Sequence, residues 1–173
     1  EHYERAVEHA MALRLNASAS QLIAAAAGTA ARMAENTPAR ERALLHVRLM
    51  RLKLAQAQNW SSEQAGEAEA IAAEAQRLND TRALIDVRRR QLRYLGIQGR
   101  FDVMNALGDE AVQLSRALGD PELAIGVAVD LMRLRIEYQI NFDRELPALQ
   151  QLLAEAEALD NPALLADVLL SQT

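Results

Sequence analysis

Histidine is the residue type in this 173-residue chain best suited to catalysis or metal binding, and it occurs three times. His2 and His9 are seven residues apart and share one helix face, but Arg5 and Ala6 between them offer no third ligand. His46 stands among apolar residues and arginines, which predicts a partly buried, hydrogen-bonded side chain rather than a catalytic one. The histidines therefore do not indicate a metal site.

Other reactive signatures are missing from the sequence. It has no cysteine, no glycine-rich phosphate loop and no Gly-x-Ser-x-Gly nucleophile motif. Carboxylates are plentiful, but no pair lies in an apolar stretch that would tune one of them as a general acid. We therefore expect no enzyme activity, no cofactor and no bound metal.

Cationic residues are concentrated in two segments of an otherwise acidic chain. Residues 38–57 carry five cations against one carboxylate, and residues 80–98 carry five against two. Residues 61–78 have four glutamates against one arginine, and residues 120–139 have four carboxylates against two arginines. The net charge of −5 argues against general nucleic-acid binding.

The elements that carry these charges recur with a period of about 41 residues. Three similar breaks, RLND, RALGD and EALDN, are 40 and 41 residues apart. The aromatic residues Trp60, Phe101 and Phe142 are 41 residues apart, twice over. Agreement between two independent landmarks is typical of a repeat protein.

Only helices are predicted, because the apolar content is largely alanine and leucine and β-branched residues never form an alternating run. The predicted helices cover about 1–15, 18–35, 38–57, 61–78 and 80–98, and begin near 102, 120, 143–147 and 161. Their starts carry local signals, which are Thr37 before Pro38, a Ser61 to Gln64 capping box, Asp80, Asp120 before Pro121, and Asn161 before Pro162. The short connections require neighbouring helices to run antiparallel.

We predict a single all-α domain of stacked helical hairpins. Its units are about 37–78, 79–118 and 119–159, with an irregular unit at 1–36 and a partial one at 160–173. Before residue 37, either one half-repeat is irregular or the first two helices form their own pair. Glycines inside helices are expected where neighbouring helices approach closely, at Gly28, Gly66, Gly96, Gly108 and Gly126.

The stretch GRFDVMNALGDEAVQLSRALGDPE (99–122) resembles the second helix of a tetratricopeptide-like repeat, in which glycine and an aromatic residue open the helix. HYERAVEHAMALRLN (2–16) has the same character. The period is similar to the long variant of roughly 40 residues, found in bacterial signalling and transcription-regulator proteins. RRRQLRYL (88–95) departs from the family, since it lacks the Trp-Leu-Gly-Tyr pattern of the first helix. The resemblance implies a right-handed α-solenoid whose first helices line a concave groove.

In that groove we expect a basic, partner-binding surface. Its predicted members are Arg48, Arg51, Arg89, Arg93, Tyr94 and Arg133. Arg48, Arg89 and Asp130 occupy aligned positions in successive units, and stacked arginines suit carboxylates or phosphates. Alternatively, the arginines pair with acids on adjacent helices, and Tyr94 and Tyr138 pack between hairpins.

The resemblance further implies a non-catalytic interaction scaffold or input region of a larger bacterial signalling protein. It would bind a protein or peptide partner of acidic character. The alternative is a sensor of a small acidic ligand or peptide. An RNA-binding solenoid is opposed by the acidic composition and the lack of a stacking ladder.

The ninth helix raises the question of self-association. It has no predicted partner helix in the chain, so an apolar stripe would be exposed, formed by Leu164, Leu165, Val168 and Leu169. We expect a continuation of the chain or a second copy to cover it. The first residue is not methionine and the end follows soon after a helix start, so we expect a piece of a longer protein. No apolar run approaches 18 residues, and the cysteine-free composition fits the cytoplasm, with the periplasm left open.

Overall fold

The computed structural model describes residues 2–58, 61–139 and 142–170. Within these ranges there is no strand, and the elements are α1 (His2–Ala12), α2 (Asn16–Ala31), α3 (Pro38–Gln58), α4 (Ser62–Arg77), α5 (Thr81–Ile97), α6 (Phe101–Ala117), α7 (Pro121–Gln139), α8 (Phe142–Ala158) and α9 (Pro162–Leu170). The prediction of an all-α chain whose successive helices pack on their neighbours is confirmed.

Three helices begin in the same way, at the predicted breaks. Two residues after the helix before each break ends, the backbone takes a positive φ, at Asn79 (51°), Gly119 (72°) and Asp160 (50°). The next side chain caps the new helix by accepting the N–H three residues on: Asp80 from Ala83 (3.0 Å), Asp120 from Leu123 (3.0 Å) and Asn161 from Leu164 (3.2 Å). The left-handed residue and the cap together end one helix and start the next, so the predicted breaks and their spacing are confirmed.

The two earlier caps are also confirmed. Thr37 Oγ1 accepts the N–H of Arg40 at 3.3 Å, ahead of Pro38 at the first position of α3. Ser61 and Gln64 form the reciprocal capping box, with both hydrogen bonds at 3.3 Å. Each cap satisfies a backbone donor that the first turn of the helix leaves unbonded.

Some helix boundaries differ from the prediction. α1 ends at Ala12, before its predicted end, because Arg14 takes a left-handed backbone (φ 56°) and Leu15 N–H closes the turn on Ala10 O at 2.8 Å. α8 begins at Phe142, so Pro147 lies inside the helix rather than at its start. A proline this near the start of a helix removes a single backbone hydrogen bond.

The helices form two compact units, residues 1–87 and 88–173. In the first, α1 packs on α2, α2 on α3 and α3 on α4, while α1 also contacts α3. Its core contains the buried residues Val7, Ala10, Ala19, Ile23, Ala26, Val47, Met50 and Leu54.

In the second unit, α6 packs on α7, α7 on α8 and α8 on α9, while α7 also contacts α9. One core joins α7, α8 and α9 through Ile125, Val129, Met132, Leu149, Leu152, Ala156 and Val168. Another joins α5, α6 and α7 through Leu92, Leu95, Met104 and Leu131. Both units thus show contacts between successive helices and between helices two apart in the chain.

The predicted exposure of the ninth helix is wrong in the main. Val168 is fully buried, and Leu164 and Leu165 are half-buried against α7 and α8. Leu169 remains exposed. A short helix can bury its apolar face in the groove between two preceding helices, and α9 packs in this way on α7 and α8.

The glycine prediction is correct at two positions and wrong at three. A Cβ at Gly96 would overlap the ring of Tyr138, and a Cβ at Gly108 would overlap the side chain of Leu131, so α7 approaches both sites closely. The remaining helical glycines have open space or a mobile side-chain end at the Cβ position: Gly28, Gly66 and Gly126.

Of the three aromatic landmarks, Phe101 can be placed. Its ring is half-buried against the core that contains Leu92 and Met104, so it packs on its own helix pair without being fully enclosed. Trp60 lies outside the described residues, as does the side chain of Phe142.

Candidate functional site

Arg48, in the middle of α3, is paired inside the first unit. Its Nε donates to Glu67 Oε1 at 2.8 Å, and its Nη1 donates to Glu74 Oε2, both on α4. The hydrogen bond to Glu67 is the main reason that the pKa of Arg48 is raised above its usual value. Two carboxylates on the adjacent helix therefore neutralise this arginine, as in the alternative of intramolecular pairing.

Arg89, on α5, is paired inside the second unit. Its Nε donates to Asp130 Oδ2 at 2.8 Å, and its Nη2 donates to the same oxygen. Asp130 lies on α7, 41 residues later, at the position aligned with Arg89 in the sequence. The partner of Arg89 thus lies on α7, two helices further along the chain, and not on a directly adjacent helix.

Two other predicted arginines present their charge to solvent. The side chain of Arg51 on α3 is exposed, and its guanidinium group makes no hydrogen bond or ion pair with any residue that the structure describes. Arg93 on α5 is also exposed and lies beside the hydroxyl of Tyr138. Burial and then Glu137 raise the pKa of Tyr138, and Arg93 acts in the opposite direction.

Tyr94 and Arg133, the two remaining members of the predicted surface, are half-buried. The amide of Gln98 donates to the hydroxyl of Tyr94 at 2.7 Å, which fixes that ring along α5. Arg133 is half-buried on α7 and has an interaction partner. Within the second unit, Arg89, Arg93 and Tyr94 on α5 thus share a helix whose partner α7 carries Arg133.

His46 sits between two carboxylates that belong to different helices. Its Nδ1 donates to Glu4 Oε1 on α1, and its Nε2 donates to Asp80 Oδ2 at 2.8 Å, at the start of α5. The side chain is 30% exposed. The prediction of a partly buried, hydrogen-bonded histidine is therefore confirmed.

The contact between His46 and Glu4 shifts the pKa of both groups. The hydrogen bond that His46 donates to Glu4 is the main cause that raises the pKa of His46 to about 9, against the opposing effect of burial. The same hydrogen bond holds the pKa of Glu4 far below its usual value. Since neither ring nitrogen keeps a lone pair for a substrate proton, His46 is not placed to act as a general base.

Lys53 forms a second bridge of the same kind, which the sequence did not indicate. Its ammonium group lies 3.0 Å from Glu8 on α1 and 2.5 Å from Asp86 on α5, and the residue is only 9% exposed. The spacing of Glu4 and Glu8, one helical turn apart, was a visible signal. Its meaning depends on α3 lying beside α1, which no local pattern reveals.

A cavity of about 460 Å³ lies in the second unit, between the end of α6, the start of α7 and the end of α8. Its apolar lining is Pro121, Ala124, Ile125, Ala158 and Leu159. Of its polar residues, Asp120 caps α7 and Glu155 accepts from Gln151 at 2.8 Å. The side chain of Arg116 is exposed, and its guanidinium group forms no hydrogen bond or ion pair with a described residue. The lining offers a binding volume but no nucleophile with an adjacent base.

In the described part of the chain, no group of three or more histidine or carboxylate side chains is arranged to hold a metal ion. None of the described helices combines the length and apolar character that crossing a bilayer requires. No protein-family model, curated protein or solved structure matches this chain.

Proposed function

We propose that the chain is a tetratricopeptide-like helical-repeat region that serves a larger signalling protein as a non-catalytic interaction scaffold. The carrying observation is the repeated helix start at Asp80, Asp120 and Asn161, in which a left-handed residue and a side-chain cap recur every 40 to 41 residues. A repeat of this kind builds an extended surface by stacking similar units.

The ion pairs support antiparallel hairpins. In the first unit, Arg77 near the end of α4 meets Glu41 near the start of α3 at 3.0 Å. Further along α3, Arg48 meets Glu67, which lies earlier on α4. The order of contacts is therefore reversed between the two helices, as an antiparallel pair requires.

Contacts between helices two apart have the opposite order, which also fits stacked hairpins. Along α1 and α3, Glu4 meets His46 and Glu8 meets Lys53. In the second unit, Arg89 on α5 meets Asp130 on α7, and Gly96 lies against Tyr138. This order of contacts is the one expected if α1 runs in the same direction as α3, and α5 in the same direction as α7.

An acidic peptide is the partner class that we propose for the exposed cations. Arg51 in the first unit and Arg93 in the second keep their charge in solvent, whereas Arg48 and Arg89 are already bound to carboxylates. A peptide carboxylate gains a charged hydrogen bond at an exposed arginine without displacing an internal partner. Each exposed arginine is therefore the more favourable contact for a peptide carboxylate within its own unit.

A peptide titration tests this proposal. A labelled glutamate-rich peptide should bind with an affinity that falls as salt is raised, and a glutamine version of that peptide should not bind. Arg51→Glu or Arg93→Glu should weaken binding several-fold with little change in stability, since exposed charges contribute under about 1 kcal/mol.

Charge reversal elsewhere provides the matched control. Arg5→Glu in the first unit and Arg100→Glu in the second change the net charge equally at exposed positions off α3 and α5. If these controls weaken binding as much as Arg51→Glu and Arg93→Glu, attraction is general and the proposed surface is wrong.

The alternative function, sensing of a small acidic ligand, is favoured by the cavity beside α7. It combines an apolar lining with the exposed guanidinium of Arg116 at its edge. A small amphiphilic carboxylate should then shift NMR signals of Ala124 and Ile125, and Arg116→Ala should remove the shifts. Shifts confined to α3 and α5 would instead favour the peptide scaffold.

A further inference from the structure

The two carboxylates around His46 require a particular charge state. A neutral imidazole has one donor and one acceptor nitrogen, so it can donate to only one carboxylate. Because Glu4 and Asp80 each face a different ring nitrogen, both contacts are hydrogen bonds only when the ring is a cation. The geometry therefore makes this three-helix contact depend on the proton of His46.

The other charged groups around His46 have partners of their own. On α3, Arg42 donates to Leu78 O at 3.2 Å, and Arg48 is bound to α4 through Glu67 and Glu74. From α4, Arg77 pairs with Glu41 at the start of α3. On α1, Glu8 is 3.0 Å from Lys53, which also bonds Asp86 of α5, and α2 has no ionisable side chain.

The helix α1 depends on such contacts more than its neighbours do. It has 11 residues and fully buries only Val7 and Ala10. An isolated helix of this length is not stable in water, so packing and ionic contacts must hold it. Its ionic contacts to α3 run through His46 and Lys53.

We propose that α1 is a pH-sensitive strap, which is fastened to α3 while His46 is a cation and loosens when that ring loses its proton. Loosening would uncover part of the apolar core that contains Val47 and Met50. The strap is a local element, so α2, α3 and α4 remain folded when it opens.

The direction of the pH effect follows from the two shifts. The pKa of His46 is raised to about 9, so its contribution is complete below the unfolded value of about 6.5 and disappears as the pH rises through about 9. The pKa of Glu4 is lowered to about 2, so that carboxylate stays charged across this range. The strap is therefore tight at mildly acidic pH and loosens toward alkaline pH.

Hydrogen exchange at pH 6.5 and pH 9.5, corrected for the intrinsic rates, tests the proposal. The gap between a pKa of 6.5 and one of about 9 allows at most about a hundredfold fall in protection, and continued contact of His46 with Asp80 makes the fall smaller. We expect α1 amides to lose this much protection while α2 and α3 amides keep theirs. Unchanged protection in α1, or an equal loss in all three helices, would overturn the proposal.

Substitutions separate the strap from general destabilisation. His46→Gln should leave α1 poorly protected at both pH values, while His46→Lys should keep it protected at pH 9.5. His9→Gln changes an exposed histidine of α1 itself, so it is the matched control and should behave as the unmodified chain. If His46→Gln does not fold, Glu4→Gln gives the same test, since it removes the carboxylate and keeps the bond between His46 and Asp80. An imidazole titration with a midpoint near 6.5 would refute the device independently.

Discussion

The two units of this chain differ in the contacts that accompany their apolar cores. In residues 1–87, α3 presents His46 and Lys53, and each cation lies between a carboxylate of α1 and one at or in α5. In residues 88–173, α7 lies directly against Gly96 and Gly108, and Arg89 of α5 forms an ion pair with Asp130 of α7. Nevertheless, helices in both units begin with the same kind of cap.

This difference indicates which part of the architecture is variable. The caps and the spacing set where each helix starts, and they act within a few residues of chain. The contact between helices two apart can be ionic or apolar without altering those starts. Substitutions should therefore affect the two units through different physical terms.

The largest expected effect is the loss of apolar packing in the second unit. Leu92 is fully buried beside Met104 and Leu131, so Leu92→Ala should lower the free energy of unfolding by about 2–5 kcal/mol. Phe101→Ala should cost less, because its ring is half-buried. Urea unfolding followed by circular dichroism measures both, and an equal cost would show that Phe101 is enclosed after all.

A second effect compares equivalent caps in the two units. Asp120→Ala removes the cap of α7 and should cost about 1 kcal/mol. Asp80→Ala removes the cap of α5 and also the hydrogen bond to His46, so it should cost about 1.5–3 kcal/mol more. Thermal melts at pH 6 give the comparison. Equal costs would mean that the histidine bridge contributes nothing to the first unit.

The smallest effect separates glycines that serve packing from those that do not. Gly66→Ala on α4 meets no atom within 4 Å and should stabilise by up to about 1 kcal/mol through helix propensity. Gly108→Ala should destabilise by about 1–2 kcal/mol, because the added methyl group overlaps the buried side chain of Leu131. If the melting temperature rises for both Gly66→Ala and Gly108→Ala, α7 does not approach Gly108 closely.

Much of the fold could be predicted from the sequence, because the relevant signals are local. The caps at Thr37, Ser61, Asp80, Asp120 and Asn161 were predicted from residue type and position, since each bonds a backbone N–H three residues on. The period of about 41 residues followed from these starts. Helix ends were less accurate, as at α1, because a left-handed Arg14 is not an expected signal.

The candidate surface could be predicted only as a set of residue types. The sequence predicted that two helices, 38–57 and 80–98, carry the arginines of the surface. It did not predict which of these arginines are already paired: Arg48, Arg51, Arg89 or Arg93. Pairing depends on residues 19 to 41 positions away, such as Glu67 and Asp130. No local pattern specifies such a distance.

The sequence by itself determined that the chain is helical, where most helices start, and that similar starts recur, because backbone hydrogen bonding and capping are short-range interactions. Only the tertiary structure decided which charges are neutralised, which glycines permit close contact, and that α9 packs its apolar residues on α7 and α8. Side chains such as His46 and Lys53 acquire their environment from three helices at once. That environment exists only after the helices have packed, so burial and charge at these sites are properties of the folded units.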